Sequence, residues 1–174
     1  MSKAGTGAKA GVVAGLVYGI IAGILSVVIL FVFKNLIMNT INSALASQTY
    51  PSGVTPPTAQ SLYTLALIAA PIGAIIGGII AGLILGIIFA YVYGKLPGKS
   101  ARIKGVIFGL ILWIILGVLV GLSSLGSYGA TYYAVSVAGD LVSSIIFGLL
   151  LGILYGRFTK NEEPQKTEPP WPSS

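Results

Sequence analysis

Neither cysteine nor histidine occurs in the chain, and only four residues are acidic. The first two absences exclude disulfides, thiol redox chemistry, haem, most zinc sites and every Ser/His or Cys/His catalytic arrangement. The scarcity of acids removes most of what is left. Hydrolysis by paired carboxylates needs two acids at one depth, and a hard cation needs several oxygen ligands. No enzyme, no cofactor and no metal site is therefore expected. Charge of either sign is also scarce, at 8% of 174 residues, where ordinary soluble domains carry about 25%. That shortfall excludes a soluble fold.

What is present is apolar and small: 55% of residues are hydrophobic, 24 are glycine, and the mean hydropathy is +0.94. The stretch from Ala70 to Gly94, APIGAIIGGIIAGLILGIIFAYVYG, has no charge and places a small residue at every fourth position: Ala70, Ala74, Gly78, Gly82, Gly86, Ala90 and Gly94. In water each glycine costs a helix about 1 kcal/mol relative to alanine. In lipid, small residues let helix backbones approach closely, and that packing drives association. The pattern predicts a membrane helix with a glycine zipper.

Three further runs repeat it, so the fold expected is an all-α membrane protein, a four-transmembrane-helix bundle with glycine interfaces. TM1 is residues 10–33, TM2 72–94, TM3 105–122 and TM4 139–157. Each is about as long as crossing an apolar layer of about 30 Å requires at 1.5 Å per residue. The expected interface glycines are Gly11, Gly15, Gly19 and Gly23 in TM1, Gly78, Gly82 and Gly86 in TM2, Gly105, Gly109 and Gly117 in TM3, and Gly148 and Gly152 in TM4. Trp113 interrupts the TM3 row. Residues 1–9, MSKAGTGAK, resemble the basic start of a signal peptide, but the apolar run behind them is too long and no A-x-A-like site clearly ends it. They are expected to be a cytoplasmic N-terminus before a retained helix.

Between TM1 and TM2, Lys34 closes the first span, NLIMNTINSALASQ (residues 35–48) keeps apolar residues at helical spacing and either continues the helix or lies along the surface, and QTYPSGVTPPTAQ reads as a loop. The apolar character from Ser61 to Lys95 overshoots a bilayer, and Pro71 predicts a break or kink that sets residues 61–70 apart as an outer or re-entrant segment. SSLGSYGATYYAVSV is expected to be a second outer loop, and residues 158–174 a disordered cytoplasmic tail whose PPWP offers a polyproline segment.

All basic residues except Lys34 fall on one side of a four-span thread: Lys3, Lys9, Lys95, Lys99, Arg102, Lys104, Arg157, Lys160 and Lys166. The positive-inside rule then places both termini and the connector KLPGKSARIK in the cytoplasm, with the plasma membrane as the expected location. The formal charge of +6 is thereby assigned to orientation and anionic headgroups, and no nucleic acid partner is expected. Gly98-Lys99-Ser100 resembles the end of a phosphate-binding loop, but Tyr93 stands where the first glycine is needed. Tyr91, Tyr93 and Tyr155 on the inner side, and Tyr63, Tyr128, Tyr132 and Tyr133 on the outer, read as interfacial anchors.

The two halves resemble each other. GVVAGLVYGIIAG from Gly11 aligns with GVIFGLILWIILG from Gly105, and GLILG from Gly82 with GLLLG from Gly148. Two repeated helical hairpins entering from the same side make a parallel repeat about the membrane normal, with low complexity as the competing explanation.

Asp140 is the one acid in or beside a span. It is a candidate ion or proton site, on the same row as Ser144 and Gly148. An N-cap at the start of TM4 is the simpler account. Function is expected to lie in helix packing, as self-association into a homo-oligomer or assembly with a partner membrane protein in membrane lipid, because TM2 has a second small row, Gly73, Gly77 and Ala81. The alternative is a small transporter or channel, which the few polar interior residues, Ser26, Asp140, Ser143 and Ser144, disfavour.

Overall fold

A computed structural model describes residues 2–160, and every regular element among them is helical. The expected tail lies outside the described residues, apart from residues 158–160, which are helical.

Ser2 starts the first helix by accepting a hydrogen bond from Gly5 N–H at 3.2 Å on its Oγ, satisfying one of the free donors of the first turn. Helix α1 spans Lys3–Val32, so the residues expected as an N-terminal extension are its first turns. Phe33, at φ −101° and ψ 22°, ends it, and α2 resumes at once over Lys34–Ala46. After a loop containing Pro51, Pro56 and Pro57, Thr58 caps α3, Ala59–Val92, by accepting from Ser61 N–H at 3.1 Å. Ser100 caps α4, Ala101–Leu112, in the same way. A π-helix, Trp113–Val120, continues α4, and α5 covers Ser123–Lys160.

Among the described residues, four helices are long and apolar enough to cross a membrane: Lys3–Val32, Ala59–Val92, Ala101–Val120 and Ser123–Lys160. Two sequence expectations are corrected by these bounds. No break occurs at Pro71, which lies inside the continuous α3. Proline removes one backbone hydrogen bond and crowds the carbonyl four residues before it, which membrane helices tolerate where surrounding groups re-satisfy the backbone. Gly23 of α1 lies against it, where an added Cβ would lie 3.3 Å from Pro71 Cα. The second outer loop is likewise replaced by helix. The only departure in that region is Gly129, at φ 82° and ψ 172°, where residues 123–128 meet the helix that follows.

Helix α1 packs mainly on α3, α4 on α5, and the two pairs meet through α1 and α5. Each glycine named above as an interface position is buried, whereas Gly73, Gly77 and Ala81 are exposed. Backbone meets backbone where the glycines face one another. A Cβ on Gly15 would lie 2.8 Å from Gly82 Cα, and one on Gly11 the same distance from Gly86 Cα. In the second pair, a Cβ on Gly105 would lie 2.8 Å from Gly152 Cα, and one on Gly109 3.2 Å from Gly148 Cα.

Helices α3 and α4 meet through side chains at the end that carries the basic connector. Phe89 is fully buried there, with ring centroids 5.2 Å from Phe108 and 5.5 Å from both Tyr93 and Tyr155. Lys104 Nζ donates to Tyr93 O at 2.9 Å and lies 4.4 Å from the centre of its ring. Tyr155, read from the sequence as an anchor, is therefore a core residue, while Tyr91 is exposed. At the opposite end Tyr63 is buried and donates to Leu30 O at 3.0 Å, and Phe33 meets Tyr132 edge-on at 5.2 Å.

Candidate ion site within the bundle

Above the aromatic cluster, a cavity of about 190 Å³ lies between the two helix pairs, and all four long apolar helices line it. Helix α1 contributes Tyr18, and α3 contributes Gly78, Ala81, Gly82 and Leu85. Leu112, Leu116 and Gly117 come from α4 and the π-helix, and Asp140, Ser144 and Phe147 from α5. Along their helices Tyr18 is about 13 Å from Lys9 and Asp140 about 25 Å from Arg157, at 1.5 Å per residue.

Gly117 faces Asp140, where an added Cβ would lie 3.4 Å from Asp140 Cβ, whereas Cβ atoms on Gly78 and Gly82 would meet the backbone of α1. Hydrogen bonds between the π-helix region and α5 fix the wall that carries the acid. Trp113 Nε1 donates to Val137 O at 2.9 Å, and Tyr133 Oη donates to Val118 O at 3.1 Å. In lipid such bonds from side chain to carbonyl hold neighbouring helices in register.

The N-cap account of Asp140 is overturned. The helix is under way from residue 130, so Asp140 lies more than two turns inside it, past the free N–H groups a cap would serve. Its carboxyl group receives no hydrogen bond or ion pair from the described residues. The polar residues expected to share the interior separate into two kinds. Ser26 donates to Gly23 O at 2.7 Å and Ser143 to Gly139 O at 3.0 Å, both within their own helices. Ser144 lines the cavity with Asp140.

Residues 3–166, which take in all these helices, match the family model described as "Family of unknown function (DUF6789)". The chain belongs to that family. No curated protein and no solved structure matches it.

In this DUF6789 chain the cavity unites Tyr18, Asp140 and Ser144, whereas the glycine rows on either side hold only backbone against backbone. No group of three potential metal-ligating side chains occurs among the described residues. The polar residues of the cavity lining are one carboxylic acid and two hydroxyls. The sequence reading passed over Tyr18; the signal for it is a tyrosine in mid-span, away from the ends where such rings anchor.

Proposed function

We propose that the protein is a non-enzymatic integral protein of the plasma membrane that binds a proton or a small cation at Asp140 and passes it across, as a small transporter or channel. One observation carries this reading: the Asp140 carboxyl group lines a cavity shared by all four long helices and has no hydrogen-bond or ion-pair partner among the described residues. An ionisable group at membrane depth is costly, and it persists where it faces a cavity and exchanges an ion.

Both termini and the connector at residues 95–104 lie in the cytoplasm on this reading, following the one-sided distribution of Lys and Arg. The glycines from Gly11 to Gly152 named above serve as helix interfaces, and the two helix pairs are copies of one hairpin. Support for the repeat comes from equivalent spacing. Gly11 faces Gly82 and Gly86 as Gly105 faces Gly148 and Gly152, and Gly15 faces Gly78 as Gly109 faces Ser144. A cavity between two such copies matches the placement of sites at repeat interfaces in transporters.

The test is reconstitution of wild type and Asp140→Asn in liposomes holding a pH dye, under an imposed proton or cation gradient. Flux in the wild type that vanishes in a folded Asp140→Asn is expected, since an amide does not take up and release a proton near neutral pH. Equal flux in the two, or none in the wild type, would remove Asp140 from function. A second reading, self-association or assembly with a partner membrane protein, is favoured by Gly73 and Gly77, where a Cβ would meet nothing within 4 Å. On that reading Gly77→Leu leaves the monomer folded and abolishes a cross-linkable oligomer.

A further inference from the structure

The end of the bundle that carries the basic connector has a second cleft, of about 610 Å³, between the start of α4 and the end of α5. Lys99 and Arg102 line it from one side, Arg157 and Lys160 from the other, and Ile153 adds an apolar wall one turn before Arg157. Asp140 is the only acid among the described residues, and it lies about 25 Å along α5 from Arg157. None of the four cations has a carboxylate partner among those residues.

Arg157 and Lys160 have an ordinary role available, since cations suit the negative end of a helix. Arg102 does not. It lies in the first turn of α4, where the dipole disfavours a cation, and no acid in that turn offsets it. An anion in the cleft would resolve the conflict from both sides. Backbone geometry keeps the cleft walls close. Gly98, at φ 122°, turns the connector back over Ile103, and Gly156 lets Ala101 approach to where an added Cβ would stand 2.8 Å from Ala101 Cβ.

We propose that this cleft binds the phosphate headgroup of an anionic phospholipid in the leaflet beneath the basic connector. The two arginines supply planar forks that match phosphate oxygens, and the two lysines add charge. Ile153 argues for a lipid over a free phosphate. It continues the cleft from the charged rim onto apolar helix surface, where an acyl chain leaves the headgroup. The site is separate from the cavity at Asp140 and stands whether or not that cavity conducts.

The experiment is native mass spectrometry of the full chain in detergent, titrated with dioleoyl phosphatidylglycerol or dioleoyl phosphatidylcholine. Wild type is expected to retain the anionic lipid about tenfold or more over the zwitterionic one. Arg102→Gln with Arg157→Gln should lose that preference, and so should Lys99→Gln with Lys160→Gln. Lys3→Gln with Lys9→Gln, an equal charge change at α1, should keep it. Thermal unfolding in detergent without added lipid confirms that each variant is folded, and the two independent cleft pairs guard against one that is not. Equal loss in the Lys3 and Lys9 variant would reduce the effect to diffuse surface charge and overturn the site. So would equal retention of the two lipids, or displacement of the anionic lipid by an equimolar amount of inorganic phosphate.

Discussion

Gly82 and Gly77 are both glycines of α3, five residues apart, and the structure gives them opposite surroundings. A Cβ on Gly82 would fall 2.7 Å from Gly15 Cα, against backbone that has no rotamer with which to yield, whereas one on Gly77 would meet nothing within 4 Å. Gly82→Leu should therefore force α1 and α3 apart and destabilise the protein by about 1–3 kcal/mol or more, and Gly86→Leu should act alike. Leu83→Ile, on an exposed position, exchanges one apolar chain for another and should change little. A detergent unfolding series measures all three. Equal stability would mean that the buried glycines do not hold the helix pair together. Asp140 follows a different rule at the same scale. Truncation there leaves a cavity already present slightly larger, so its substitution is better read in flux than in stability.

At the scale of helices, Gly129 is the position where backbone conformation alone dictates the residue. Its φ of 82° with ψ of 172° belongs to a region open essentially to glycine. No atom lies within 4 Å of an added Cβ, so crowding plays no part. Gly129→Ala should cost about 1–3 kcal/mol or straighten the joint, and circular dichroism with thermal unfolding would register either outcome. Unchanged stability and helix content would mean that the joint is not fixed. The same joint explains part of what sequence patterning made legible and what it did not. Apolar runs of membrane length in a chain with so little charge announce four helices, and the spacing of Gly78, Gly82 and Gly86 marks the buried face of α3. The extents were not legible. Thr131, Tyr132, Tyr133 and Val135 favour strands in isolation, and they are helical here because Tyr133 bonds to Val118 O and Tyr132 packs on Phe33. Pro71 reads as a breaker, yet α3 runs through it. The inward aim of Asp140 depended on the same missing knowledge of where its helix begins.

The whole molecule is defined by how it threads the membrane, and a chain without cysteine allows that to be read one residue at a time. Residue 52 lies in the loop before α3, residue 127 beside the joint at Gly129, and residue 100 at the cap of α4, and all three serines are exposed. With four crossings, the first two share one side and the third lies on the other. The charge distribution then chooses between the two remaining orientations. Lys95, Lys99, Arg102 and Lys104 crowd the connector that holds Ser100, while the stretches holding Ser52 and Ser127 have no charge nearby. In intact cells a membrane-impermeant thiol reagent should therefore label Ser52→Cys and Ser127→Cys, and should reach Ser100→Cys only after permeabilisation. The converse pattern would keep the four crossings and invert the orientation, moving the basic cleft to the outer leaflet. Labelling of all three from outside is incompatible with any four-span thread. It would mean that neither α3 nor the α4 and π-helix segment crosses, and the cavity at Asp140 would then lose two of the walls that keep it out of water.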